Sequence, residues 1–341
     1  MHLAQIFTGK RNRLRRPFIP FQASWIRSSA SILIFLLSLT LIGQSANADL
    51  LTAINRGWAT ASGSRTSNSS TQNYFAGFNG SLPHRNFFEF DNAYLNNRWG
   101  TSAQLLLMNG TFNNSGTYQY VVRDVTSNTF SASGGQLYND IGSGATYGSL
   151  PLGPASSTTQ RTINLSSQAV RDFNNRAFTT NRFALGGFMS APTGTFRFGS
   201  TGGGGFFSRL NVNTIANRNP NANQDDYLIN QNSGVLLNAF GSSDLDLSYG
   251  DALSYSWDVD NDGIYDFSSS SNTRNLTFAE LSGKGINGVG DYDVTVRVTD
   301  RWGSSSTSVA TLSVIPEPGA APFLMTLAPL VGWVGFRRRR P

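Results

Sequence analysis

The residues best suited to chemistry run Asp258-Val259-Asp260-Asn261-Asp262-Gly263-Ile264-Tyr265-Asp266. Carboxylates at alternate positions with glycine at the sixth match the opening of a calcium-binding loop, in which hard oxygen ligands wrap one cation and glycine permits the sharp turn. Asp258, Asp260, Asp262 and Asp266 are the candidate metal ligands, and calcium is the candidate cofactor. The twelfth position is Ser269, so the glutamate that closes such loops is missing. The same residues also read as a hairpin turn whose side-chain oxygens accept from nearby backbone amides. Both readings stand at this level.

Other chemistry is sparse. The chain has no cysteine, which excludes disulfides, zinc–thiolate sites and thiol nucleophiles. His84 is the only histidine after residue 48, so a serine hydrolase relay would have to use that one ring, and a site of several histidines is excluded. Glu89 and Asp91 alternate along one apparent strand, Phe87-Phe88-Glu89-Phe90-Asp91. Two carboxylates so placed sit too near each other to flank a glycosidic bond, and Asp91 reads better as a turn cap. The glycines at 202–205 lack the Lys-Ser/Thr that follows a phosphate loop. Trp58, Tyr74, Phe75, Phe78 and Trp99 have two readings, as the bulk of a β-core or as platforms for sugar rings. No residue receives a catalytic role.

Short apolar alternations joined by Gly, Asn and Ser turns are the elements that must position these groups. Leu253, Tyr255, Trp257 and Val259 alternate with polar residues, as do Tyr292, Val294, Val296 and Val298, which predicts strands with one buried face. Residues 235–240 and 308–314 supply further strands, and Asn261-Asp262-Gly263 is a turn signal. In the first half, strands are predicted at 87–91, 118–125, 161–165, 183–188 and 195–199. A single short helix is predicted at 166–177, capped by Ser166 or Ser167, with Val170 and Phe173 on one face. The expected fold class is all-β, with two β-sandwich domains at 49–222 and 223–315, the first β-rich and jelly-roll-like.

Three segments of the second domain resemble the PKD (polycystic kidney disease) domain: the run from Leu237-Asn238-Ala239-Phe240-Gly241 to Asp244, then Tyr255-Ser256-Trp257-Asp258, then Gly290-Asp291-Tyr292-Asp293-Val294-Thr295-Val296-Arg297-Val298-Thr299-Asp300. That resemblance implies an immunoglobulin-like sandwich that serves as a spacer or binding module. The loop at 244–251 departs from the family's usual turn. Arg56-Gly57-Trp58, Arg85 to Asp91 and Phe183 to Gly187 resemble a β-rich module that recurs in exported PEP-CTERM proteins.

The two ends read as transport labels. Lys10, Arg11, Arg13, Arg15, Arg16 and Arg27 precede an apolar run at 32–42 and then Ala46-Asn47-Ala48, the pattern of a signal peptide (1–48) cut after Ala48 by signal peptidase. At the other end, Pro316-Glu317-Pro318 is followed by an uncharged, largely apolar stretch at 319–336 and by Arg337, Arg338, Arg339 and Arg340. Eighteen helical residues span roughly 27 Å, close to the thickness of a bilayer core, and the arginines orient the preceding chain outward. The order resembles the PEP-CTERM sorting signal (316–341), which implies a single transmembrane helix before processing and an exosortase as processing partner.

Setting these labels aside changes the electrostatic picture. The whole chain is formally +6, yet residues 49–336 carry 16 basic and 20 acidic residues, so the basic total implies no nucleic-acid partner. Residues 49–222 hold 12 basic and 6 acidic residues, and residues 223–315 hold 4 and 13. The expected function is that of an exported, non-catalytic surface or extracellular-matrix protein, a structural or interaction module in an exopolysaccharide-rich envelope. Carbohydrate binding is the alternative, and a glycan hydrolase a lesser one. Exopolysaccharide and other surface proteins are the expected partners.

Overall fold

A computed structural model describes residues 47–110, 116–154, 159–190, 197–198 and 207–317. The predicted signal peptide up to residue 46, the predicted span at 319–336, Pro318 and Arg337 to Arg340 lie outside the described residues. Among those described, no helix is long and apolar enough to cross a membrane.

The first half is built from β1 (Asn47–Thr52), β2 (Asn55–Thr60), β3 (Ala76–Asn79), β4 (Leu82–Asp91), β5 (Arg98–Met108), β6 (Tyr118–Asp124), β7 (Thr146–Leu152), β8 (Gln160–Asn164), β9 (Arg182–Ser190), β10 (Arg197–Phe198) and β11 (Ser208–Ala216). One antiparallel sheet has the order β1-β11-β5-β8, and the other β10-β3-β4-β9-β6-β7, with β2 also paired to β4. Leu105, Leu107, Leu210 and Val212 of the first sheet meet Phe88, Phe90, Tyr120 and Leu185 of the second in one fully buried core. Period-two alternation is what lets each strand give every other side chain to that core.

Strand β4 is buried on both faces, which masks its alternation. Phe88 and Phe90 face the inter-sheet core, while Phe87 faces outward under helix α1 (Gly134–Ser143), where it meets Leu137 and Ile141. Helix α1 starts with a reciprocal capping box, Ser133 with Gln136, which satisfies two backbone donors. Helix α2 (Ser167–Arg176) lies where the sequence predicts a helix. Ser166 caps it, and Ala169, Val170 and Phe173 are buried. At Gly187 of β9 a Cβ would collide with the Tyr120 hydroxyl, which is donated to Asn86 Oδ1 at 2.8 Å, so glycine permits that buried polar contact.

The second half comprises β12 (Tyr227–Asn230), β13 (Val235–Asn238), β14 (Ser254–Asp258), β15 (Phe267–Ser269), β16 (Thr273–Leu276), β17 (Gly290–Thr299) and β18 (Ser305–Ile315), with the short helix α3 (Phe278–Gly283). Five strands form the sheet β12-β18-β17-β14-β15, and β13 pairs with β16. Only the β12–β18 pair in this sheet is parallel. Trp257, Val294, Val296, Val298 and Leu312 pack against Leu237, Ala239 and Leu276. The chain is therefore mostly β-sheet, and among the described residues the short helices α1, α2 and α3 modify the all-β expectation.

The two cores lie in one compact unit. Trp99, Phe178 and Trp302 cluster between them, with Phe178 and Trp302 ring centres 4.5 Å apart. Asn174, fully buried, donates to Gly100 O at 2.9 Å and to Tyr249 O at 2.8 Å, and so ties both halves together. Trp257 anchors the second core, yet its indole N–H has no hydrogen-bond partner. Trp257→Ala is expected to cost about 3–5 kcal/mol in urea denaturation. Trp257→Phe is expected to cost clearly less, because the N–H it removes makes no bond.

Candidate functional site

The acidic loop follows β14 directly, and its shape comes from backbone hydrogen bonds. Asn261 and Gly263 take left-handed conformations, with φ of 53° and 89°, which turns the chain back toward β15. Asp258, almost wholly buried, accepts from Asp262 N at 3.1 Å and from Gly263 N at 2.8 Å. Asp262 accepts from Ile264 N at 2.7 Å, and Asp266 accepts from Val259 N at 2.8 Å.

Three of the four expected ligands come together. One carboxylate oxygen each from Asp258, Asp260 and Asp262 lies within 4.8 Å of the others. Asp266 is engaged elsewhere, in a close ion pair with Lys284, whose ammonium also stands 3.8 Å from Asp260. The hydrogen bond that Lys284 donates to Asp266, reinforced by the charges of Asp266 and Asp260, raises the Lys284 pKa. Desolvation, then the charges of Asp266 and Asp262, raise that of Asp260. The loop thus already holds a positive charge of its own, and its fit is to a turn closed by an ammonium. A dication would have to share Asp260 with Lys284. Beside the loop a cleft of about 420 Å³ is rimmed by Asp260, Asp291 and Asp293.

Glu89 and Asp91 do not form a catalytic pair. Glu89 is buried, accepts from the Thr129 hydroxyl and pairs with Arg182 at 3.1 Å, at the edge of a small cavity of about 100 Å³. Asp91 is exposed and accepts from Ala93 N at 2.9 Å, the turn cap that the sequence predicts. His84 is buried between Trp58 and Phe75, with ring centres 4.8 Å from each. Of the aromatic candidates, Tyr74, Phe75 and Trp99 belong to the interior, while Trp58 and Phe78 are half-buried.

Phe78 instead borders a groove that the sequence reading does not single out. It measures about 290 Å³ and is lined by Phe78, Pro83, Arg85, Tyr138, Phe188 and Ser190. The outward face of β4 supplies Arg85, helix α1 supplies Tyr138 and β9 supplies Phe188. The Arg85 guanidinium lies 3.9 Å from the Tyr138 ring centre, and Arg123 lies 5.0 Å from that of Phe188. Desolvation lowers the Arg85 pKa, and Arg123 adds to this while Tyr138 opposes it. The groove therefore sets the Arg85 guanidinium among aromatic rings, and Arg123 stands against Phe188, one of the residues that line it. Arg85 stands beside Phe87 in a run quoted above, but nothing local marks it, because its partners come from residues 138 and 188.

No family model matches the chain, and no curated protein does. Solved structures similar to parts of it include the PKD1 domain of Vibrio anguillarum Epp, 26% identical over 29% of this chain and 96% of that one, with a TM-score of 0.21. Another concerns the promiscuous specificity of carbohydrate-binding modules from the β-sandwich superfamily, 26% identical over 29% of this chain, with a TM-score of 0.22. The match spans only 36% of that structure's chain. A third is the adhesin domain of Epf from Streptococcus pyogenes, 11% identical over 69% of this chain and 74% of that one, with a TM-score of 0.26. At such TM-scores the functional reading rests on the residues of this chain.

Lys284→Ala is expected to lower thermal stability at neutral pH by removing the charge that Asp266 and Asp260 face. Because the folded-state pKa of Lys284 is raised, the wild-type advantage is complete below about pH 10, the unfolded lysine range, and closes as pH rises through the folded value. Melting curves of both proteins across that range check this.

Proposed function

We propose that this chain is an exported, exosortase-sorted protein of the cell surface or extracellular matrix, acting without catalysis through its two sandwiches in an exopolysaccharide-rich envelope. Two features of the sequence support export: the signal-peptide pattern before Asp49, and the tripeptide, apolar span and arginines after Ile315. The observation that carries the interaction reading is the groove of Phe78, Arg85, Tyr138 and Phe188, which offers ring faces and guanidinium groups in place of a paired acid and base. Glu89, Asp91 and His84 are each committed to an ion pair, a turn or an aromatic stack.

Mass spectrometry of the protein recovered from the cell surface tests the sorting reading. The expected termini are Asp49 and a residue near Pro316-Glu317-Pro318. Surface material that still carries Arg340 would overturn it.

The same groove favours a second reading, recognition of acidic carbohydrate. Arg85 and Arg123 supply positive charge, within a half that holds 12 basic against 6 acidic residues, and the rings supply stacking faces. On a glycan array, uronate-bearing glycans are expected to bind saturably and in preference to neutral ones. Tyr138→Ala is expected to weaken that binding roughly three- to tenfold. Equal binding by wild type and variant would assign the contact to another surface.

A further inference from the structure

A second acidic cluster lies at the junction of the two sandwiches, formed by residues far apart in the chain. Asp244 follows β13, Asp251 follows the 3₁₀ turn Leu247–Tyr249, and Asp300 directly follows β17. One carboxylate oxygen from each lies within 4.8 Å of the others. Asp251 and Asp300 are only 8% and 6% exposed.

Asp300 is bonded through both oxygens, accepting from Ser304 N at 2.8 Å and from Asn217 Nδ2 at 2.7 Å, but the hydrogen bonds of Asp244 and Asp251 account for only part of each carboxylate. Asp251 Oδ1 accepts from Ala252 N at 2.7 Å and from Arg301 N at 3.0 Å, and Asp244 Oδ1 accepts from Asp246 N at 2.7 Å. Their Oδ2 atoms are buried and have no hydrogen-bond partner. Nearby guanidinium groups are engaged elsewhere: Arg218 holds the buried Asp246, and Arg301 donates to Asn175 Oδ1 and Gly250 O. Among the described residues no ion pair involves Asp244, Asp251 or Asp300. Buried carboxylates without compensation are costly, and pairing or metal coordination is how proteins relieve that cost.

We propose that Asp244, Asp251 and Asp300 hold a hard divalent cation of the calcium class, and that this ion braces the junction between the sandwiches. Three carboxylates and no softer donor suit an oxygen-seeking cation, with solvent completing its shell. The contrast with the 258–266 loop is physical: there Lys284 supplies the positive charge, and here nothing among the described residues does. The brace follows from connectivity. Asp300 Oδ2 accepts from Asn217 Nδ2 at 2.7 Å, and Asn217 Oδ1 accepts from Trp99 Nε1 at 2.7 Å, so the cluster is joined in two steps to the first sandwich. Arg301, next in sequence, reaches Asn175 of α2.

The test uses the purified full chain, stripped with chelator and then titrated with calcium chloride alone. Millimolar calcium is expected to raise the melting temperature on the order of 3 °C and to slow proteolysis of the linker at 217–222. Asp251→Asn and Asp300→Asn, each of which keeps a side-chain acceptor, are expected to abolish both effects. In the metal-free state Asp251→Asn is expected to melt no lower than wild type, because it removes charge from a crowded site. Asp262→Asn, in the other loop, is expected to retain the full calcium response. The proposal is overturned if calcium leaves wild type unchanged, or if the response is lost in Asp262→Asn and kept in Asp251→Asn. Stabilisation that leaves linker proteolysis unchanged would overturn the bracing role.

Discussion

The arrangement of the molecule depends on a polar and aromatic junction that fixes one sandwich against the other. Trp99 stands at the end of the first core, and its indole N–H reaches Asn217 in the connecting segment, which in turn donates to Asp300 of the second half. Asn174 adds a bridge from Gly100 to Tyr249, and the Trp99, Phe178 and Trp302 rings fill the space around it. Fully buried amides are costly to orphan, so these contacts are made together or at a penalty in each half. Two β-units joined by a short segment would otherwise be free to pivot.

Charge divides along the same line. The first half presents cations over aromatic rings, as Arg85 does on Tyr138 and Arg182 on Phe130, and so keeps its guanidinium groups partly desolvated against apolar surface. The second half concentrates acids in loops at its strand ends. Its four cations are spent within it or at the junction: Lys284 on Asp266, Arg274 on Glu280, Arg297 over the Tyr265 ring, and Arg301 on uncharged acceptors of the junction.

What the sequence made legible follows from how local each signal is. Tyr255, Trp257, Val294, Val296 and Val298 alternate cleanly because one face of β14 and β17 meets the core and the other meets solvent. Helix α2 was readable from Ser166 and the Val170–Phe173 spacing. Strand β11 was not, although Leu210, Val212 and Thr214 all point inward, because the intervening Asn211 and Asn213 carry turn propensity that its pairing with β5 overrides. Helix α1 begins at Gly134-Gly135, which reads as a turn, and only Ser133 with Gln136 signalled its start. The acidic run at 258–266 was visible by spacing alone, but its relation to Lys284 required the fold. Asp244, Asp251 and Asp300 carry no local pattern, since seven and then forty-nine positions separate them in the numbering.

Strand β18 ends at Ile315, immediately before the tripeptide through which the chain would be held at a surface. It lies between β17, with which it shares ten residue pairs, and the parallel β12. A pull on residue 316 along the strand axis would load those ladders in shear, so many hydrogen bonds would have to yield together instead of opening one after another. The place where tension would enter is thus among the parts of the second sandwich best tied to resist it.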